Sequence, residues 1–267
     1  MTQLAANLTM LFGELDFLDR FEAAARAGFR GVEFLFPYAY EATELQRRLR
    51  DHSLALVLHN LPAGDWSAGE RGIGCLPDRV DEFKTGVEQA ITYATALGCT
   101  RVNCLAGKLP AGLDPAVARD TLIANLRYAA PRFKDAGIAL LVEPINTRDV
   151  PGFFLNGTQQ TIDIIDAAGS DNLWLQYDIY HMQIMEGDVA QAIARLLPRI
   201  KHMQLADVPG RHEPGTGEID FPSLLSAIDR LGYAGWIGCE YVPKTETTAG
   251  LGWAAPYIAA QNQHKGH

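Results

Sequence analysis

In the stretch Ala139-Leu140-Leu141-Val142-Glu143-Pro144-Ile145-Asn146, four apolar residues run into a carboxylate, a proline and an amide. The apolar run predicts a strand buried on both faces, as in parallel sheets. Pro144 brings no N–H, so the strand should stop beside it and leave Glu143 at its C-terminal end. A carboxylate placed there is costly to bury alone and normally finds a cation or a metal. A structural salt bridge would satisfy it equally well. Repetition favours chemistry, because the same pattern recurs down the chain. Its polar strand ends, in order, are Glu33, His59, Lys108, Glu143, Asp178, Gln204 with Asp207, and Glu240. In the second half the oxygen donors are Glu143, Asp178, Gln204 and Glu240. Three carboxylates and an amide meeting on one axis would repel unless something positive sat between them. Oxygen donors without a thiolate suit a hard divalent ion, Mg²⁺ or Mn²⁺, better than a zinc-type nitrogen and sulfur set.

The elements that must position these residues follow from periodicity. Strands are expected at 4–11, 31–36, 54–58, 101–105, 139–142, 173–177, 200–207 and 235–239. Helices are expected at 15–27, 42–50, 78–97 and 189–197. Asp114-Pro115 opens another, which Pro131 should kink or divide before Gly137. Thr158 caps a further helix, and Asp220 with Pro222 opens one running to Ile228. From Thr245 the chain reads as helical and then frayed. Residues 63–74 form a long connection of the kind that tends to be functional or mobile. Strands alternating with helices argue for a parallel sheet, and eight units argue for closure into a (β/α)₈ barrel over residues 1–267 as one domain. An open doubly wound sheet is the rival. The first βα turn lacks G-x-G-x-x-G and no Walker-type loop occurs, so nothing favours a nucleotide fold. In a barrel, the strand ends enumerated above share one face, where the active site lies.

Bulk properties narrow the partners. The chain has 267 residues, 48% hydrophobic and 21% charged, with a net charge of −9 spread along its length. That argues against a polyphosphate partner such as nucleic acid and leaves a small anionic substrate open. Cys75, Cys99, Cys104 and Cys239 form no CxxC pair and read as reduced, buried thiols of a cytoplasmic protein. No signal peptide and no membrane span are read from the sequence. Association of copies is left open.

Several longer motifs carry a resemblance. They are Asn7-Leu-Thr-Met-Leu-Phe-Gly-Glu14, Gly31-Val-Glu-Phe-Leu-Phe-Pro37, the stretch from His59 to Gly72, Gln176-Tyr-Asp-Ile-Tyr-His-Met-Gln183, Glu213-Pro-Gly-Thr-Gly-Glu218 and Gly235-Trp-Ile-Gly-Cys-Glu-Tyr241. Together they resemble the hydroxypyruvate isomerase family of xylose-isomerase-like TIM barrels over nearly the whole chain. The resemblance implies a divalent metal on Glu143, Asp178, Gln204 and Glu240, with Glu143 and Glu240 as the acid/base pair. It implies interconversion of hydroxypyruvate and tartronate semialdehyde through an enediolate. The sister 2-oxo-tetronate isomerases share the strand ends but are less similar after His59, where Leu61-Pro62 and Trp66 follow the hydroxypyruvate pattern. A ketose 3-epimerase and a non-catalytic sugar-acid-binding barrel are the other readings. A barrel nuclease is disfavoured by the charge and by too few strand-end histidines. Candidate partners for a substrate carboxylate are Arg71, Lys108 and Arg211, each of which could equally be a solvated surface charge. His59 and His181 are candidate hydrogen-bond partners for substrate or for a ligating carboxylate, and could as well be packed histidines. Trp66 is a lid or a rim residue, and Asp207 and Glu218 are expected to shape their loop.

Overall fold

Eight parallel strands pair in chain order, and the last closes on the first. They are β1 Gln3–Asn7, β2 Gly31–Glu33, β3 Ala55–Asn60, β4 Arg101–Cys104, β5 Ala139–Val142, β6 Leu173–Asp178, β7 Ile200–Leu205 and β8 Trp236–Cys239. The structure, a computed structural model, describes residues 2–263. The helices are α1 Arg20–Arg26, α2 Ala42–Asp51, α3 Val80–Leu97, α4 Pro115–Asp135, α5 Thr158–Ala168, α6 Ile179–Met185, α7 Val189–Leu196, α8 Phe221–Arg230 and α9 Ala255–Gln263. The (β/α)₈ barrel expected from the alternation is what forms.

Register decides which side chains face the axis. The paired residues Asn7 and Glu33, Asn103 and Leu141, Gln176 and His202, and Asp178 and Gln204 point inward together. The interior therefore has two zones. Ala5, Val57, Leu58 and Leu141 form an apolar plug flanked by Ala139, Trp174 and Trp236. Towards the strand C-termini the filling turns polar, with Asn7, Glu33, Asn103, Gln176, Asp178, His202 and Gln204 all buried. Outside, the helices bury one face against the strands, as α3 does through Phe83, Val87, Ala90 and Ala94.

Several elements differ from the sequence expectation. The first strand stops at Asn7. The Asn7 carbonyl accepts from Met10 and Leu11 N–H, so apolar Leu8 and Leu11 are buried in a turn, not a strand. The first helix begins at Arg20, after a 3₁₀ turn at Phe17–Asp19. β2 is three residues long and ends at Glu33 itself. Pro131 does not divide α4, which runs from Pro115 to Asp135. Leu126, Ala129, Ala130 and Phe133 are buried on either side of it, and that packing carries the helix through the missing backbone bond. Thr158 is the first residue of α5 and not its cap. The Glu186 carboxylate caps instead, accepting from Thr158 N at 2.6 Å and Thr158 Oγ1 at 3.0 Å. α6 was not expected at all. Beyond Thr245 a 3₁₀ segment at Thr248–Ala254 leads into α9, and the expected fraying past residue 263 lies outside the described residues. All four cysteines are free and buried. Among the described residues no helix is long and apolar enough to cross a membrane.

Candidate active site

Glu143 directly follows β5 and Glu240 directly follows β8, while Asp178 and Gln204 lie at the ends of β6 and β7. All four are buried, the most exposed being Glu240 at 5%. Asp178 also opens α6, its Oδ1 accepting from Tyr180 N–H at 2.8 Å. Its Oδ2 accepts no hydrogen bond among the described residues. His181 Nε2 and Arg211 Nη2 each lie 3.5 Å from that oxygen. Arg211 Nη2 also lies 3.3 Å from Glu240 Oε2, so its guanidinium sits between the two carboxylates.

Amides hold the other ligand candidates. Glu143 Oε2 accepts from Asn103 Nδ2 at 2.8 Å and Gln176 Nε2 at 2.9 Å, which leaves Oε1 turned to the cavity side. Gln176 Nε2 also donates to Gln204 Oε1 at 2.6 Å. Gln204 Nε2 donates to Glu33 Oε1 at 2.8 Å, on the far side from Glu143. Glu33 is thus no ligand candidate. It lies under the site, bonded also to Asn7 Nδ2 at 3.0 Å and His202 Nε2 at 2.7 Å.

Glu143, Asp178 and His181 offer ligand atoms within 4.8 Å of one another and could hold an ion. Hydrogen bonding argues that His181 is a donor there. Asn146 Oδ1 accepts from Arg148 N at 3.0 Å and Asp149 N at 2.8 Å, which fixes that amide. Its Nδ2 then donates to His181 Nδ1 at 2.7 Å. With Nδ1 accepting, a neutral His181 carries its proton on Nε2, facing the carboxylates. Burial, and then Arg211, hold His181 well below the usual histidine range, so neutral is its form. The oxygen set is the better fit to a hard cation, and the orphaned Asp178 Oδ2 is the atom most in need of one.

Protonation points the same way. Burial lifts Glu143 well above the usual carboxylate range, and the charges of Glu240 and Asp178 add to the effect. Burial carries Glu240 to about 8 against the pull of Arg211. Asp178 rises to about 6 by burial, opposed by Arg211 and by backbone N–H bonds from Tyr180 and His181. Arg211 stays charged: burial works against it, but Glu240, Asp178 and Glu143 raise its pKa. Carboxylates this reluctant to ionise side by side gain from a divalent cation.

A cavity of about 110 Å³ brings Glu143, Gln204, Glu240, His181, Arg211 and Arg71 together. Trp66 lines its mouth, with the Arg71 guanidinium stacked 4.0 Å over the indole and Phe36 edge-on at 5.0 Å. Two candidates lie elsewhere. Lys108 is not part of the cavity lining and donates to Gly69 O at 2.9 Å, bracing the loop that carries Trp66 and Arg71. His59 is fully buried beneath, its Nδ1 3.0 Å from Asn60 O, and burial lowers it to about 4. Asp207 shapes its loop as expected, accepting five backbone N–H groups. Glu218 accepts from Gln183 Nε2 at 2.9 Å. Sequence reasoning missed Asn103, Asn146 and Gln176. Gln176 had a signal: two residues before Asp178 on a strand, it must share that residue's face.

The sequence matches the model of the xylose isomerase-like TIM barrel family over residues 21–257. It is 54% identical over 257 residues to hydroxypyruvate isomerase of Escherichia coli strain K12, covering 96% of this chain and 100% of that protein. It is 49% identical over 258 residues to 2-oxo-tetronate isomerase of Cupriavidus necator, covering 97% and 99%. A crystal structure described as AP endonuclease, family 2, from Brucella melitensis superposes with a TM-score of 0.94 at 45% identity, covering 96% and 99%. An L-ribulose 3-epimerase superposes at 0.78 with 23% identity, covering 100% and 99%, and shares the fold.

Proposed function

Since the chain belongs to the xylose isomerase-like TIM barrel family, we propose that it is an isomerase that interconverts hydroxypyruvate and tartronate semialdehyde with the help of a divalent ion. One observation carries the reading: Glu143, Glu240 and the oriented Gln204 amide line one small cavity with Arg71 and Arg211, and the third carboxylate, Asp178, lies 3.5 Å behind Arg211. A cavity of roughly 150 Å³ holds a benzene ring. One of about 110 Å³ favours a three- or four-carbon acid over a six-carbon ketose. The size and the net charge of −9 also speak against a nucleic-acid substrate.

Glu143 Oε1, Asp178 Oδ2, Gln204 Oε1 and Glu240 would hold the ion, Mg²⁺ or Mn²⁺, which supplies charge stabilisation for oxygens that become anionic during proton transfer. The chain's own groups do the rest. Arg71 and Arg211, which both line the cavity, would receive the substrate carboxylate. One of Glu143 and Glu240 removes a proton from C3 of hydroxypyruvate, giving an enediolate. The pair returns a proton to C2, and the hydroxyl proton moves from O3 to O2. Glu240 is the freer carboxylate, meeting only the Arg211 guanidinium among the described residues. Glu143 spends Oε2 on two amides and is the more rigid partner. His181 Nε2–H would donate to a substrate oxygen. Trp66 closes the mouth against water.

The four-carbon reading stays in play because the 2-oxo-tetronate isomerase of C. necator is nearly as similar. Purified protein with Mg²⁺ should turn over hydroxypyruvate and take deuterium from heavy water into carbon. Turnover of 2-oxo-tetronates without hydroxypyruvate would reverse the substrate assignment, and absence of deuterium uptake from either would refute catalysis.

A further inference from the structure

We propose that Glu33 is a positioning residue that decides which atom of the Gln204 amide faces the ion site. This rests on the reading that Gln204 lends its oxygen to a divalent ion. A glutamine amide is nearly symmetric in shape, so packing alone does not tell oxygen from nitrogen, and hydrogen bonds must. The bonds here run back to a group that cannot rotate. Thr9 N–H donates to Asn7 Oδ1 at 3.0 Å, so Asn7 presents its Nδ2 to Glu33 Oε1 at 3.0 Å. The same Glu33 oxygen accepts from Gln204 Nε2 at 2.8 Å. With its nitrogen taken by Glu33, Gln204 must turn Oε1 the other way, where Gln176 Nε2 donates to it at 2.6 Å. The second lone pair of Oε1 remains for the ion.

Two further features tie Glu33 to this task. Its other oxygen meets His202 Nε2 at 2.7 Å, which pins the carboxylate from below. The neighbouring strand makes room: a Cβ on Gly238 would overlap both carboxylate oxygens of Glu33. Without Glu33 only the Gln176 N–H, itself shared with Glu143, would hold the oxygen inward, and the amide could turn its NH₂ to the cavity and set N–H dipoles against a cation. Groups behind metal ligands typically control affinity by about 10–100-fold.

Mn²⁺ binding, followed by loss of the free-ion electron paramagnetic resonance signal, tests this without activity. Glu33→Met removes every acceptor and should weaken Mn²⁺ binding at least about 10-fold. Glu33→Gln keeps an oxygen that can accept from Gln204 and should bind nearly as the parent. In a Gln204→Glu background, where both terminal atoms are oxygen, Glu33→Met should weaken nothing. Should Glu33→Met fail to fold, Gly238→Ala displaces the same carboxylate and should show the same background dependence. Equal weakening in both backgrounds would reduce Glu33 to a structural role, and no weakening in either would also overturn the proposal. Parent-like binding by Gln204→Ala would instead refute Gln204 as a ligand.

Discussion

Removing the Asp207 carboxylate should detach Arg211 from the site without touching any ion ligand. Asp207 is fully buried just past β7. Its Oδ1 accepts from Val208 N at 2.9 Å and Ile219 N at 3.1 Å. Its Oδ2 accepts from Gly215 N at 2.9 Å, Thr216 N at 3.1 Å and Gly217 N at 2.8 Å. The loop is wound so tightly that a Cβ on Gly217 would run into Val208 O and Asp207 Oδ1. Arg211 rides on this coil in the left-handed region, with φ of 56°, its carbonyl accepting from Val242 N at 2.8 Å. A hydrogen bond to a charged acceptor contributes about 1.5–3 kcal/mol, and five would sum to roughly 8–15 kcal/mol. The loop would uncoil into water before that sum was reached. Asp207→Ala should therefore cost about 3–5 kcal/mol, the range for breaking a buried charged network. For a chain of this size that lowers Tm by about 10 °C. Hydrogen exchange should show amides 208–219 losing protection while the strands keep theirs. In hydroxypyruvate turnover, Asp207→Ala should match Arg211→Gln, and the double variant should be no worse than either, because both remove the same contact. Full protection of amides 208–219 in folded Asp207→Ala, or an additive loss in the double variant, would refute this reasoning.

Glu143→Gln should abolish turnover with the fold retained, since the substituted amide can still accept from Asn103 or Gln176 but can carry no proton. Activity near the parent level with unchanged circular dichroism would remove Glu143 from catalysis. The ion-stripped protein should lose stability as pH rises. Asp178 near 6 and Glu240 near 8 are raised in the folded state, whereas unfolded carboxylates titrate at about 4. Their stabilising contribution is complete below the unfolded value and is lost as pH climbs through about 6 and about 8. Thermal melts in EDTA should show Tm falling across that window. Saturating Mg²⁺ should remove most of the fall, and a pH-independent Tm in EDTA would contradict it. Pro131→Ala should restore a backbone bond inside α4 and raise stability by about 1–2 kcal/mol, read from denaturant midpoints, with turnover unchanged.

Much of this was legible because a barrel repeats one local pattern. Apolar runs closing on Glu143, Asp178, Gln204 and Glu240 gave both the strand ends and the oxygen set. What the residues themselves did not disclose was orientation. Gln204 looks the same on paper whichever atom points inward, and the hydrogen bonds that orient it come from Gln176 and from Glu33, the latter 171 residues away. His181 has two ring nitrogens, and its tautomer depends on Asn146, whose own amide is fixed by backbone N–H groups. Lys108 looked like a substrate cation because it follows a strand, yet its reach takes it to Gly69 O. α6 escaped notice because Ile179, Tyr180, His181 and Met182 are all buried, so no polar face marks a helix. Leu8 and Leu11 misled for the opposite reason, being apolar within a turn.

Asp178 divides its two oxygens between a helix start and the charged cluster of His181 and Arg211. If Asp178 holds the proposed ion, heat resistance and ion affinity are written into the same side chain, and a change there is read twice. Asparagine could keep the cap while giving up the charge beside Arg211, and glutamate could keep the charge while overreaching the first turn of α6. Efforts to tune the proposed ion site would do better to begin at Glu143, Gln204 or Glu240, where no helix is at stake.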